Sequence, residues 1–321
     1  MKQGWQGIFR ARSIEGPYEA RNVLDQGQTD TNGPHQGAWV TTPAGEDWFL
    51  HFQDRDGYGR VVHLEPMQWR DGWPVIGSDS DGDGRGEPVA TYRKPALPRQ
   101  PIAAPQTDDE FEHGLSKAWQ WNSNPADDWA MVAGGKLHLK SVTAPANLYE
   151  AGNLLSQKLP APSFSATTKV TFAPLRVGER TGLAIAGMSY GFIGLQNTTD
   201  GVRVLRESSG AKGPDQAWGP TVGTKAVWLR MRVEPVERAI EPPADPEFDL
   251  PAMRREMQPM VHFSYSLDGV TFQELGPDFV ATQGRWTGAQ IGLFATAPYE
   301  TPASIATTVG HAEFDWFRIG R

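Results

Sequence analysis

Asn32-Gly33-Pro34-His35-Gln36-Gly37-Ala38-Trp39-Val40 decides the reading of this chain, together with Trp48-Phe49-Leu50-His51-Phe52-Gln53-Asp54 and Gly59-Arg60-Val61-Val62-His63-Leu64 behind it. Gly37 to Thr42 and Trp48 to Asp54 are short runs rich in aromatic and β-branched residues, parted by Pro43-Ala44-Gly45-Glu46, and this pattern predicts a β-hairpin. Arg60 to Met67 alternates well enough to be the next strand, and Gly72-Trp73-Pro74 reads as the close of the unit. Upstream, Gln6 to Arg12 is a strand candidate ended by Glu15-Gly16-Pro17. Residues 1–94 therefore read as a short antiparallel meander. Standing alone it would leave a sheet face and strand edges exposed, and it should be poorly stable.

Downstream, residues 95–107 carry four prolines in thirteen positions and read as an extended, semi-rigid linker. Residues 108–321 read as one β-sandwich. Strand-like runs recur at Lys136 to Val142, Phe164 to Phe172, Gly182 to Met188, Gly191 to Asn197, Val202 to Arg206, Ala226 to Val233, His262 to Leu267, Gln290 to Ala295 and Ala312 to Ile319. Ser266-Leu267-Asp268-Gly269-Val270-Thr271-Phe272 predicts a hairpin, with Asp-Gly at the turn. Residues 235–259 hold Pro235, Pro242, Pro243, Pro246, Pro251 and Pro259 among many charges, so they read as a long loop with one helical turn near Met253 to Met257.

Composition removes several function classes. The net charge is −8 and no Lys/Arg run exceeds two residues, whereas a nucleic-acid partner needs a basic patch. Apolar runs fall well short of the roughly 18 residues of a membrane span. Met1-Lys2-Gln3-Gly4-Trp5 lacks the apolar core of a signal peptide. With no cysteine, disulfide and thiol chemistry are absent and the compartment is left undecided. The 12 tryptophans favour strands and supply flat faces for sugars, although core packing explains most such residues.

These motifs carry a resemblance. Ile14-Glu15-Gly16-Pro17-Tyr18-Glu19, Asn32 to Val40, Asp47 to Asp54, Gly59 to Pro74 and Asp81-Gly82-Asp83-Gly84-Arg85-Gly86-Glu87-Pro88 resemble the end of the five-bladed propeller of glycoside hydrolase family 43. Within that family they are most similar to the β-xylosidase and α-L-arabinofuranosidase group, which carries an added concanavalin A-like sandwich. Trp119-Gln120-Trp121-Asn122, Asn153-Leu154-Leu155-Ser156-Gln157-Lys158, Phe263 to Gly269, Gly288 to Phe294 and Phe314-Asp315-Trp316-Phe317 resemble that sandwich. The expected fold is all-β: an incomplete β-propeller fragment (1–94), the linker (95–107) and the sandwich (108–321).

The resemblance implies an inverting glycosidase acting on xylo- or arabinoxylo-oligosaccharides. Such an enzyme uses a general acid and a general base about 6.5–9.5 Å apart, with room for water between them. In the family these carboxylates, and the aspartate that orients the acid, lie on earlier blades. No catalytic carboxylate is therefore assigned, and the chain is expected to lack catalysis alone. The missing N-terminal propeller part would be its partner. For the full-length parent, the periplasm or the exterior is favoured over the cytoplasm. Two residues carry over. His35 matches the family histidine near the propeller axis, close to the sugar and to a bound metal or water. Arg60 matches the arginine that reaches the sugar's hydroxyls, a task suited to a permanently charged fork of donors. The plain alternatives are a histidine bonded to backbone and an arginine paired with Asp54 or Asp56.

Other constellations are weaker. Asp79-Ser80-Asp81-Gly82-Asp83-Gly84 matches half of a calcium loop, but Ala90 stands where the bidentate glutamate belongs, so a solvated acidic turn is preferred. Asp108, with Asp109 and Glu110, opens the sandwich and Asp315 lies in its last strand. By analogy with related sandwiches, Asp108 and Asp315 are candidate ligands of a structural Ca2+, the alternative being a cap and a solvated face. Asp30, Glu46, Asp47, Asp54 and Asp56 offer no pair that stands out as acid and base. Trp119, Trp121 and Trp129 are assigned to packing rather than sugar stacking. A non-catalytic carbohydrate-binding or interaction module is the rival function.

Overall fold

The computed structural model describes residues 4–144, 147–209, 213–240, 254–298 and 309–320. These residues are nearly all β, with a single short 3-10 turn at Asp56–Tyr58. Among them, no helix is long and apolar enough to cross a membrane. The chain divides into two compact units, Met1–Arg55 with Arg60–Ala103, and Asp56–Gly59 with Ala104–Arg321.

The first unit contains β1 (Gln6–Arg10), β2 (Glu19–Leu24), β3 (Ala38–Thr41), β4 (Asp47–Asp54), β5 (Arg60–Arg70) and β6 (Trp73–Ile76). β1 pairs with β2, and β3-β4-β5-β6 form a four-stranded antiparallel sheet, the make-up of one propeller blade. The turn residues act as read: Thr42 and Glu46 close the β3–β4 connection through their backbones at 2.8 Å. Trp73-Pro74 does not end the unit. It begins β6, in which all four residues are buried. The proline is tolerated because β6 is an edge strand, paired only with β5 within its sheet. Val23, Leu24, Phe49, Met67 and Ile76 form the core of this unit.

Glycine at 37 is a packing requirement. A Cβ there would stand 2.3 Å from the Phe49 ring and 2.4 Å from the Leu50 carbonyl. The Gly-Ala-Trp string thus lets β3 close down on β4.

The second unit contains β7 (Gln120–Trp121), β8 (Ala130–Ala133), β9 (Lys136–Lys140), β10 (Val142–Ala144), β11 (Leu155–Lys158), β12 (Phe164–Ala173), β13 (Arg180–Ala186), β14 (Tyr190–Thr198) and β15 (Gly201–Ser208). It continues with β16 (Asp215–Thr221), β17 (Val227–Ile240), β18 (Arg254–Ser266), β19 (Gln273–Glu274), β20 (Phe279–Val280), β21 (Gln290–Pro298) and β22 (His311–Gly320). Two eight-stranded sheets result. One runs β16-β15-β14-β13-β21-β11-β7 with β10 beside β21, the other β19-β18-β17-β12-β22-β9-β8 with β20 beside β18.

β12 alternates buried and half-exposed residues strictly, the pattern of a strand with one face on the core. Phe164, Val170, Phe172, Leu183, Ile193, Leu229, Phe263, Ile291, Phe314 and Phe317 belong to that core. Each large apolar side chain buried there contributes about 1.5–3 kcal/mol. β13, β14 and β21 read as continuous apolar runs because their other face is covered too. There Leu148, Leu154, Tyr190, Phe192, Leu205 and Phe294 form a second cluster.

The loop expected over 235–259 is overturned where the structure is described. β17 and β18 extend through Glu234–Ile240 and Arg254–Met260 as one long hairpin, so Arg254 to Met257 are extended rather than helical. Pro235 and Pro259 sit directly opposite one another. Placing both missing N–H groups on a single rung limits the damage to the ladder. Pro242, Pro243, Pro246, Pro251 and Met253 lie outside the described residues.

The Asp-Gly hairpin forms as read, with Gly269 at φ 77°. The Asp268 carboxylate accepts the Val270 and Thr271 amides at 2.8 Å each. With the Ser266 hydroxyl added, these bonds pull its pKa down from 3.8 to about 2.

Candidate functional site

β4, β5 and the loop before β3 bring the two carried-over residues to one aromatic ring. Asp54 ends β4 opposite Arg60, which begins β5, and Phe52 stands two residues earlier opposite Val62. Arg60 and Phe52 are therefore diagonal neighbours on one face. The Arg60 guanidinium carbon lies 4.3 Å from the Phe52 ring centre, within cation–π range. His35 reaches the same ring from the preceding loop, with centroids 5.4 Å apart and planes tilted by 57°.

Asn32 holds that loop in place. Its amide donates to the Asp54 carbonyl at 3.0 Å, and its carbonyl accepts the Asp54 N–H at 3.2 Å. Asn32 is itself buried. Gly33 (φ 49°) and Gln36 (φ 55°) bend the backbone through the left-handed region on either side of Pro34-His35.

Nδ1 of His35 lies 2.5 Å from the Gly33 carbonyl. A carbonyl only accepts, so in the neutral ring Nδ1 carries the proton and Nε2 presents a lone pair. Nε2 is buried and has no hydrogen-bond partner among the described residues. A bare imidazole nitrogen in that position suits a sugar hydroxyl, a water or a metal ion, and so fits the group that the resemblance implies. Phe52 was not singled out in the sequence. The signal was its place in the alternation with Asp54, two residues before the end of the strand.

Elsewhere in this unit, Asp47 joins two exposed indoles. Trp39 and Trp69 donate to its two oxygens at 2.9 and 2.8 Å, and the Thr41 hydroxyl donates at 2.6 Å. These donors hold its carboxyl below the ordinary range, Thr41 first. The rings of Trp39 and Trp69 meet edge to face at 5.1 Å.

Asp79, Asp81 and Asp83 bring carboxylate oxygens within 4.8 Å of one another. Arg70 pairs with Asp79 at 2.5 Å and Arg85 with Asp83 at 2.6 Å. The trio also caps its own backbone, at Gly82, Asp83 and Arg85.

In the sandwich the first and last segments lie together, through Asp109 and Phe317, whose backbones exchange two bonds of 2.8 Å. The Asp108 carboxylate accepts the Ile319 N–H at 2.8 Å and the Thr107 hydroxyl at 3.2 Å. Asp315 instead pairs with Lys169 at 2.5 Å and Lys136 at 3.3 Å. The structure thus gives Asp108 and Asp315 separate partners, and a Ca2+ held by both would have to displace two ammonium groups. Trp119 donates to the buried Asp109 at 2.8 Å and meets Phe317 edge to face at 5.0 Å. Trp121 and Trp129 pack on each other at 5.7 Å. These contacts are those of packing residues.

Comparison with known proteins matches this architecture. Residues 108–320 match the β-xylosidase C-terminal concanavalin A-like domain, and residues 2–74 match glycosyl hydrolases family 43. A putative β-xylosidase of Xylanibacter ruminicola is 37% identical over 295 residues, which cover 91% of this chain and 50% of that protein. A β-xylosidase of Formosa agariphila is 30% identical, covering 97% of this chain and 52% of that protein. The chain spans about half the length of these relatives. A crystal structure of xylan β-1,4-xylosidase from Bacillus halodurans shares the fold with a TM-score of 0.77 at 20% identity, over 98% of this chain and 60% of that one. These family matches, with the blade-like sheet and the sandwich, place the chain among the glycoside hydrolases. It belongs to glycoside hydrolase family 43, carrying that family's β-xylosidase C-terminal domain.

Proposed function

We propose that these residues form the C-terminal portion of an inverting glycosidase acting on xylan-derived oligosaccharides, of the β-xylosidase and α-L-arabinofuranosidase type. The observation that carries the reading is the convergence of His35 and Arg60 on Phe52. Arg60 donates to the hydroxyls of the bound sugar. Nε2 of His35 accepts from a hydroxyl or water, or holds a cation beside the sugar. Phe52 supports both side chains. The acid, the base and the orienting aspartate come from upstream blades, so these residues bind sugar and do not cleave it alone. The upstream blades are the natural partner. β3 forms one edge of its sheet and all four of its residues are exposed, which suits it to strand pairing.

The test compares the chain alone with the chain fused behind the upstream half of the Xylanibacter ruminicola relative, using an aryl β-xyloside. The chain alone should give no turnover and the fusion should give turnover. Arg60→Ala in the fusion should lower kcat/KM roughly 10–100-fold, the worth of a charged hydrogen bond. Turnover by the chain alone, lost on removing one of its own carboxylates, would sink the proposal. So would an Arg60→Ala fusion that works as well as its parent.

A further inference from the structure

A second cluster of chemically capable side chains lies on the sandwich. β9 and β22 run antiparallel with His138 directly opposite Glu313 and Lys140 opposite His311. His311 and Glu313 are two residues apart, so both project from the same face of β22, and His138 joins them from β9. Their neighbours Leu137, Leu139, Ala312 and Phe314 point the other way, into the core, and fix the backbone beneath.

The spacing of these side chains could accommodate a metal ion. Oε1 of Glu313 lies 3.7 Å from His138 Nδ1 and 3.6 Å from His311 Nε2. All three ligand atoms fall within 4.8 Å of one another. Tetrahedral zinc, with bonds of about 2.0–2.2 Å, separates its ligand atoms by about 3.4 Å. The two distances from Oε1 are within a few tenths of an ångström of that separation, and rotation of the half-exposed His311 ring can bring its nitrogen toward His138.

The surroundings hold the ligands in place. His138 Nε2 lies 3.3 Å from the Ala133 carbonyl, the outer contact that orients a metal-binding imidazole. The carbonyl only accepts, so in the neutral ring the proton sits on Nε2 and the bare Nδ1 faces Oε1. Two acceptors that face each other need a cation between them or a proton on the ring. Lys136 takes the other oxygen of Glu313 at 3.1 Å, turning Oε1 toward the imidazoles. Asp315 and Lys169 complete the row of charges, and Lys140 is drawn to Asp128 at 2.5 Å.

We propose that His138, His311 and Glu313 form a site for one divalent transition-metal ion, zinc by the chemistry of the ligands. Two imidazoles and one carboxylate suit zinc, whereas calcium and magnesium prefer oxygen throughout. His311 is half-exposed, which leaves a fourth position open to water or to an outside donor. The site is independent of the sugar-binding role argued for the first unit.

The test is zinc titration of the untagged, metal-stripped full chain, with excess calcium present to suppress non-specific binding to carboxylates such as those of Asp79 to Asp83. Stoichiometry is read by calorimetry and elemental analysis. One zinc per chain is expected. His311→Ala and His138→Ala should each weaken binding about tenfold or more. Glu313→Gln should weaken it too, with the far-UV spectrum unchanged. His113→Ala and His262→Ala should leave the isotherm as it is. No binding at one equivalent, binding that survives both His138→Ala and His311→Ala, or loss on His262→Ala instead would overturn the site.

Discussion

His51 and Glu65 face each other across β4 and β5, with Nε2 and Oε1 3.1 Å apart and both side chains withdrawn from solvent. The other oxygen of Glu65 accepts the Val89 N–H at 2.8 Å, so one carboxylate joins two strands to a later segment. The His51 ring stacks on His63 at 5.3 Å. Burial, followed by the charge of His51, pulls the His63 pKa below its ordinary value. Glu65→Ala leaves a buried imidazole and a buried amide without their partner. It should destabilise the chain by about 3 kcal/mol, and Glu65→Gln, which keeps an acceptor, by clearly less. Equilibrium urea unfolding of both variants checks this.

Asn32→Ala removes both bonds to the Asp54 backbone. Asp54 is buried, so the freed groups gain little from water. A loss of about 1–3 kcal/mol is expected. The His35 loop should also lose its anchor, and amide exchange across residues 32–37 should quicken more than in β5. Unchanged exchange there would show that the loop is held by other contacts.

Gly37→Ala puts a methyl group against the Phe49 ring and the Leu50 carbonyl. Backbone and core must both yield, at about 1–3 kcal/mol. Gly45→Ala meets no atom within 4 Å, but it sits at φ 78° and should cost only the backbone strain. Thermal unfolding of the two variants should rank them in that order.

Asp268 gives a pH signature. Its folded pKa of about 2 lies below the ordinary 3.8, so its carboxylate form stabilises the fold. That contribution is fully present above the ordinary value and is lost as pH falls toward about 2. The stability gap between the parent and Asp268→Ala should be constant near neutral pH and should shrink between about pH 4 and pH 2. A gap that widens on acidification contradicts this assignment.

Much of the fold was legible because strands and turns are written locally. Alternation over Phe164 to Phe172, Asp-Gly at 268–269 and the turn at 43–46 each specify backbone geometry within a few residues. Pro235 and Pro259 show where that legibility stops. Read along the chain, prolines among charges indicate a loop. Only their pairing across the hairpin reveals that each makes the other tolerable. Likewise Pro74 reads as a terminator until its strand proves to be an edge.

The candidate sites divide in the same way. The sequence by itself determined the strand pattern, the turn chemistry, the family resemblance and the candidacy of His35 and Arg60. Tertiary structure decided that both meet Phe52, that Asn32 anchors the loop, and that Asp108 and Asp315 answer to different partners. It also set His138 opposite Glu313, two residues far apart in the chain. The physical reason is register. A strand's sequence states which side chains share a face, but a one-residue slip would send every one of them to the other side, and only the packed core fixes which rung meets which.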